Sequence, residues 1–276
     1  MQRTFEVTGP LAIEVRIAAG SVEVDPTLDG AAEVVLTAHD EESQRLVDAA
    51  RVELRETAGG SQLFVDVPGR SGALASLVAV FGRGGVDCRI RCPQRPALSA
   101  RTKSADVEVT GTLESADVAT ASGDVQLRDV DGEANVKTAS GDVTVGDVGG
   151  RGTFATASGD VAVGRLSGPG DVATASGDVR VAATAGDVKA STASGDVELG
   201  SVAGGRVAVN SASGDVEVAV RRGIRAFLDC TTVSGDARSE LDGDDSAADG
   251  DGPLVEIRAR TVSGDIRITR AQEVHA

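Results

Sequence analysis

Apolar and polar residues alternate in short stretches along much of this chain, and glycines bound many of these stretches. In the middle of the chain the pattern G-D-V-x-V recurs, for example with Val143 and Val145 and again with Val161 and Val163. A period of two places one set of side chains on the buried face of a strand and the other set in solvent. The pattern therefore predicts short β-strands and argues against helices of period 3.6.

The alternation belongs to a tandem repeat of 18 residues. Glycines recur nine residues apart from Gly123 to Gly195, so each repeat has two halves, each with a turn and a short strand. A fixed period of this length is typical of stacked coils, whose equivalent positions lie ~4.8 Å apart. The tripeptide Ser-Gly-Asp marks the repeat, first every 18 residues and then after steps of 19, 21 and 29, at Ser122, Ser140, Ser158, Ser176, Ser194, Ser213, Ser234 and Ser263.

We therefore predict an all-β fold, with a parallel β-solenoid over residues 101–276. Its core is expected to be thin, because Val, Ala and Thr fill it and one coil cannot bury its own face without neighbours. One row of threonines shares the parity of the inward-facing valines, which favours buried hydroxyls over an ice-binding surface. This row consists of Thr138, Thr156, Thr174 and Thr192.

Residues 1–100 are rich in strand patterns but irregular. They contain one convincing helix, Glu41 to Ala50, which Asp40 is placed to cap. We expect residues 1–100 to form a β cap packed on the solenoid. Such a cap would close one end, since an open strand edge invites end-to-end assembly.

Two segments interrupt the strand pattern. Residues 69–85 are expected to form a loop, flanked by glycines and apolar at its centre. Residues 240–252 are rich in Asp and are expected to form a mobile, solvated loop that bulges from an otherwise continued coil, with the strand pattern resuming at Leu254. A calcium site in this loop is the alternative, although the loop lacks the twelve-residue spacing that ends in Glu.

Acidic residues outnumber basic ones, 43 against 27, and the formal net charge is −16. This charge argues against nucleic acids and anionic membranes as partners, because both require clustered positive charge. The N-terminal residues have no apolar core typical of a signal peptide, and no apolar run approaches the ~18 residues needed to span a bilayer. We expect a cytoplasmic protein with a basic, neutral or cationic partner, and peripheral association with the envelope is the alternative.

The chain contains three cysteines and two histidines. An odd number of cysteines suits a reducing compartment. Cys88 and Cys92 share the apolar face of one expected strand, too far apart for a relaxed disulfide, so we predict buried free thiols. A metal pair is the alternative, but no histidine lies nearby in the sequence. His39 and His275 belong to no recognisable nucleophile motif, and no catalytic residue is predicted.

The aspartates of the repeat form the main candidate site. Each is expected at an exposed corner, where stacked carboxylates repel by roughly 1 kcal/mol per neighbour. Hydrogen bonds from turn amides and the nearby serine would offset this repulsion. The alternative is Ca²⁺ bound between coils, although each turn supplies one Asp and not the G-G-x-G-x-D motif of calcium-binding β-rolls. The row consists of Asp124, Asp142, Asp160, Asp178, Asp196, Asp215, Asp236 and Asp265.

Three sequence elements together resemble a known family. They are D-C-R-I-R-C-P from Asp87, L-S-A-R-T from Leu98, and the repeated T-A-S-G-D-V. The chain is similar in these elements to the bacterial putative-adhesin family, also called the toastrack domain, over nearly its whole length. The resemblance implies a right-handed β-helical fold without established catalytic activity or settled active-site residues. It also implies a role in assembly platforms of cell-envelope stress systems, although the membrane anchor of those members is not apparent here.

The sequence therefore predicts a non-catalytic β-solenoid that acts as a binding or assembly scaffold, with another protein as its partner. A long regular surface with acidic rows can present many equivalent sites to a basic or repetitive partner. A calcium-binding module resembling a β-roll is the second hypothesis. A carbohydrate-active β-helix enzyme is the third, and the near absence of aromatic residues, five Phe without Tyr or Trp, argues against it.

Overall fold

The computed structural model describes residues 1–69, 85–241 and 253–272. It divides into two compact units, Met1–Asp131 with Val136–Gly141, and Gly132–Asn135 with Asp142–Ala276. Most of the predicted loops at 69–85 and 240–252, together with His275, lie outside the described residues. The predicted division into residues 1–100 and 101–276 stays a prediction.

The first unit combines parallel and antiparallel strands. Its elements are β1 (Gln2–Glu6), β2 (Leu11–Asp25), β3 (Ala31–Ala38), α1 (Glu41–Asp48), β4 (Arg51–Thr57), β5 (Gly60–Asp66), β6 (Val86–Arg91), β7 (Ala97–Leu113), β8 (Ser115–Ala119) and β9 (Val125–Val130). The long strand β2 pairs in parallel with β7, and also with β5 along its first half and β6 along its second. Three antiparallel pairs, β1–β3, β3–β6 and β4–β5, distinguish this unit from the repeat.

The predicted helix and its cap are confirmed. The Asp40 carboxylate accepts hydrogen bonds from the backbone N–H of Ser43 at 2.7 Å and from its hydroxyl at 2.6 Å. The bond from the backbone N–H satisfies one of the amides that the first helical turn leaves without a partner. The helix ends at Asp48, two residues before the predicted end. Within the described ranges, no helix has the length and apolar character needed to cross a membrane.

The second unit is a parallel β-solenoid. Strand β10 (Ala134–Lys137) has residues in both units, and the strands that follow are β11 (Val143–Val148), β12 (Gly152–Ala155), β13 (Val161–Leu166), β14 (Gly170–Ala173), β15 (Val179–Thr184), β16 (Val188–Ser194), β17 (Val197–Val202), β18 (Gly205–Ser213), β19 (Val216–Val220), β20 (Arg225–Ser234), β21 (Ala237–Ser239), β22 (Leu254–Ser263) and β23 (Ile266–Arg270). Each strand pairs with its counterpart one coil away, so Val161 lies between Val143 and Val179. The prediction of stacked parallel coils is therefore confirmed.

The core of the solenoid is as thin as its composition predicts. Its largest fully buried side chain is Phe154, and glycines at positions 152 and 170 leave room beside that ring and Leu166. The threonine row faces inward: Thr174 and Thr192 are buried, and their hydroxyls donate to carbonyls of the preceding coil at 3.1 and 3.3 Å. The prediction of a buried hydroxyl row is therefore confirmed for these positions.

The prediction that the coil simply continues after residue 252 is wrong. Strand β22 begins at Leu254 as predicted, but it lies between β18 and β20, with Ile257 beside Val207 on one side and Leu228 on the other. Likewise β23 lies between β19 and β21. The coil that comes last in the sequence, β22 with β23, therefore lies between the coil of β18 and β19 and the coil of β20 and β21. Its large core residues, such as Ile257 and Ile268, are covered on both sides, which buries more apolar surface than an end position would.

Candidate binding surface

The aspartates of the repeat form a hydrogen-bonded ladder. Along the ladder, the carboxylate of one aspartate accepts, through Oδ1, the backbone N–H of the equivalent aspartate in the adjacent coil at 2.8–2.9 Å. In the second unit the described bonds connect Asp142, Asp160, Asp178, Asp196, Asp215, Asp265 and Asp236 in that spatial order. In the first unit Asp106 accepts from Asp124 in the same way. Backbone amides are therefore donors to these carboxylates, as predicted, but each of these donors is the amide of an aspartate one coil away and not an amide of the same turn.

The hydrogen bonds of the ladder need an oxygen atom as acceptor, but they do not need its negative charge. Two substitutions at Asp196 should therefore have different effects on stability. Asp196→Ala removes the acceptor of the Asp215 N–H and should lower the free energy of unfolding by about 1 kcal/mol. Asp196→Asn keeps an acceptor and removes a like charge from the row, so stability should be unchanged or slightly higher. Urea denaturation of both variants measures the difference. Equal losses for the two variants would mean that the charge is required.

The residue two positions after a ladder aspartate is placed to contact the second carboxyl oxygen. In three coils this residue is arginine, at positions 180, 238 and 267. Arg180 contacts Asp178 Oδ2 and Arg238 contacts Asp236 Oδ2, both at 2.8 Å. In the two coils that follow Arg180, the same position is occupied by Glu198 and Glu217. At this position, the arginine that pairs with the ladder aspartate in the coil of Arg180 is thus replaced by a second carboxylate in the next two coils.

These coils form a small acidic groove on the outer face of the second unit. The acidic groove has a volume of ≈ 200 Å³, and its charged lining residues are Asp196, Glu198, Asp215, Glu217 and Asp265, with Arg180 and Arg267. The register places Glu198 directly beside Glu217, and the two arginines follow at either side. The ion pair between Arg180 and Glu198 is long, with 3.7 Å between Arg180 Nε and Glu198 Oε2. Carboxylates on adjacent strands repel one another, so this groove favours a cationic ligand.

Sequence reasoning missed the two glutamates, although a signal was present. Aligning the repeats on Ser-Gly-Asp places Arg180, Glu198 and Glu217 in one column. Among the described residues no group of three or more His, Cys, Asp or Glu could hold a metal ion. The calcium hypothesis for the aspartate row stays a prediction.

The first unit brings together three polar residues that the sequence did not connect. His39 Nε2 lies 2.6 Å from Asp87 Oδ2, and the Ser21 hydroxyl donates to Asp87 Oδ1 at 2.9 Å. Partial burial raises the pKa of Asp87, but the hydrogen bonds with His39 and Ser21 outweigh this and hold it below its ordinary value. A catalytic triad needs the imidazole between serine and carboxylate. Here the carboxylate lies in the middle, so His39 cannot activate Ser21.

The cysteines are free thiols, as predicted for Cys88 and Cys92, which are both buried. Burial raises the pKa of each to about 12, and the charge of Asp25 adds to the effect at Cys92. Cys230 lies on β20 and is half-buried, and burial raises its pKa as well. Because the thiolate is the reactive form, none of the three is activated as a nucleophile.

Comparison with known families identifies a family that matches most of the chain. The family described as Toastrack DUF4097 matches residues 87–163 and 151–276, which together include both the D-C-R-I-R-C-P element and all the Ser-Gly-Asp repeats. No curated protein matches the chain.

Several solved structures are similar over nearly their whole length. A "putative adhesin" from Parabacteroides merdae ATCC 43184 is 10% identical, with 98% of this chain and 96% of that chain covered and a TM-score of 0.47. A "putative adhesin" from Parabacteroides distasonis ATCC 8503 is 13% identical, with 97% and 96% covered and a TM-score of 0.46. A "putative lipid binding protein" from the same organism is 12% identical, with 96% of each chain covered and a TM-score of 0.40.

Proposed function

Because this chain belongs to the Toastrack DUF4097 family, we propose that it is a non-catalytic, adhesin-like scaffold that binds a basic segment of a partner protein. The segment would lie along the acidic groove of the second unit. A link to cell-envelope stress and a cytoplasmic location stay predictions.

The observation that carries this proposal is the replacement of arginine by glutamate beside the aspartate ladder. The ladder itself is structural, since its hydrogen bonds join Oδ1 of one aspartate to the backbone of the adjacent coil. Glu198 and Glu217 add charge without a hydrogen bond to the backbone of a neighbouring coil among the described contacts, and they lie side by side. Lysine or arginine side chains from a partner would relieve the repulsion between them.

The chemistry of the remaining polar groups supports a non-catalytic role. In the described part of the chain, Asp87 lies between Ser21 and His39, so the imidazole is not placed to accept the proton of the serine hydroxyl. The buried thiols of Cys88 and Cys92 are held in the protonated form. Binding, by contrast, needs only the fixed and regular surface that stacked coils provide.

A deca-lysine peptide provides a direct test of the acidic groove. We expect Glu198→Gln combined with Glu217→Gln to weaken its binding about fivefold at low salt, because each exposed ion pair contributes ~0.2–1 kcal/mol. The difference should shrink as added salt screens the charges. Fluorescence anisotropy of a labelled peptide, measured in low and high salt, gives both dissociation constants.

A matched control changes the net charge equally but away from the groove. Glu56→Gln with Glu108→Gln alters two exposed glutamates of the first unit, and Glu108 occupies the same position after Val107 as Glu198 does after Val197. This control should bind the peptide nearly as well as the unaltered chain. Equal weakening in both double variants would show that only net charge matters and would contradict the proposal.

A further inference from the structure

The second unit ends on an open coil in the described part of the chain. Strand β20 pairs with β22 along its whole length, and β21 pairs with β23, but neither has a neighbour on its other side among the described residues. A strand edge of this kind presents backbone donors and acceptors to any other strand that can reach it.

The core positions of β20 are incompletely covered. Ala226, Leu228, Cys230 and Thr232 are all half-buried. Their register partners on β22, one coil further in, are Val255, Ile257, Ala259 and Thr261, and all of these are buried. The positions are the same in the coil, so the difference arises because nothing in the described residues packs on the outer side of β20.

Exposed apolar side chains are concentrated in the same place. Apart from Met1, the large apolar side chains that are exposed in the described residues are Phe227 and Val233 on β20 and Leu254 and Val262 on β22. Phe227 is 57% exposed and Val233 is 78% exposed. Natural edge strands are usually protected by charges or proline, whereas this edge also presents an exposed aromatic and an exposed β-branched residue beside Arg225 and Asp229.

We propose that two copies of this chain associate through antiparallel pairing of their β20 strands about a two-fold axis at Cys230. Phe227 and Val233 are each three residues from Cys230 and share one face of the strand. In this register Phe227 of each copy lies opposite Val233 of the other. The interface therefore contains two equivalent contacts, and both exposed side chains of each copy are covered. Leu228 meets Thr232 of the second copy, which keeps the inward-facing positions of both strands on the same side.

The charge of this end also fits a second copy. Residues 225–239, which form this end coil, contain Arg225 and Arg238 against Asp229 and Asp236, so their net charge is zero. The whole chain carries −16. Two copies that meet at this end therefore avoid the repulsion that most other surfaces of so acidic a chain would produce. Most oligomers of identical chains have this kind of two-fold interface, in which one patch is complementary to itself.

Sedimentation velocity of the full chain over a range of concentrations, under reducing conditions, tests the association. We expect a reversible dimer, and Phe227→Asp should raise its dissociation constant roughly tenfold or more, since buried aromatic residues dominate such interfaces. Val233→Asp is a second variant with the same expectation. Thr144→Asp places the same charge at an exposed position of the central strand β11 and should leave the dimer intact.

Oxidation of the reduced dimer with diamide tests the register. Opposite residues of an antiparallel pair have Cα atoms about 4.5–5.5 Å apart, within the range of about 4.4–6.8 Å that a disulfide spans. Two Cys230 thiols would lose two protons and two electrons to diamide, which becomes the hydrazine. We expect a disulfide-linked dimer on a non-reducing gel, with none for Cys230→Ser and much less for Phe227→Asp. Cys88 and Cys92 are buried and should not contribute.

Each remaining outcome overturns the proposal. A chain that sediments as a monomer at every concentration does not associate through β20. A dimer that withstands both aspartate variants uses another surface. A dimer that is sensitive to Phe227→Asp but gives no Cys230 cross-link pairs in a different register. Circular dichroism confirms that each variant is folded, which the exposure of both side chains leads us to expect.

Discussion

Replacing Phe154 with alanine should lower the free energy of unfolding by about 3–5 kcal/mol, the usual loss for a fully buried phenylalanine. Phe154 is 0% exposed and is the largest fully buried side chain of the described residues. It lies on β12 in a core filled by smaller side chains, mostly valine, alanine, leucine and isoleucine. Its neighbours in the stack are too small and too tightly held by the coil register to fill the resulting cavity.

Urea denaturation measures this loss, and a change of the same type elsewhere provides the control. Phe227→Ala, studied at a concentration where the chain is monomeric, should cost under about 1 kcal/mol because that ring is exposed. A Cβ atom at Gly152 would lie 2.7 Å from Phe154 Cε2. Gly152→Ala should therefore cost less in the Phe154→Ala background than alone. If the stability losses of Gly152→Ala and Phe154→Ala simply add in the double variant, Gly152 does not pack directly against the Phe154 ring.

Replacing Gly177 with alanine should lower the free energy of unfolding by about 3 kcal/mol, at the upper end for overpacking. A Cβ atom at this position would lie 2.1 Å from the carbonyl oxygen of Gly159 in the preceding coil. The obstacle is backbone rather than a flexible side chain, so two coils would have to separate. Separation would also stretch the hydrogen bond from the Asp178 N–H to Asp160 Oδ1.

Thermal and urea denaturation of Gly177→Ala should be compared with Gly59→Ala. A Cβ atom at Gly59, between β4 and β5, would meet nothing within 4 Å. This control should be neutral or slightly stabilising, because alanine restricts the unfolded chain. If the two variants are equally stable, the close approach of successive glycines is not what spaces the coils.

The two substitutions show why much of the fold could be predicted from the sequence. When a repeat has a constant length of 18 residues, each position stacks on its own equivalent, so Gly177 stacks on Gly159 and Val179 on Val161. Alternation then determines which side chains face the core, including the threonines. The Asp40 cap was also predictable, since capping is a contact between residues three apart in sequence.

The candidate site was predictable only in part. The aspartate row and its exposure follow from the repeat, but the donor to each carboxylate is an amide one coil away. Alignment of the repeats could have identified Glu198 and Glu217, since both follow the Ser-Gly-Asp tripeptide at the same distance. The contact of Ser21 and His39 with Asp87 could not be found in this way, because it joins residues 66 and 48 positions apart outside the repeat.

The sequence by itself determined the solenoid, the length of its coils, the face that each side chain presents and the helix cap. These features follow from local alternation and from a constant repeat length, which act over neighbouring residues or neighbouring coils. Only the tertiary structure decided the order of the last coils, in which β22 lies between β18 and β20. Similar coils can stack in either order with the same parity, so the choice depends on the total apolar surface buried. That choice leaves Phe227 and Val233 at an open strand edge.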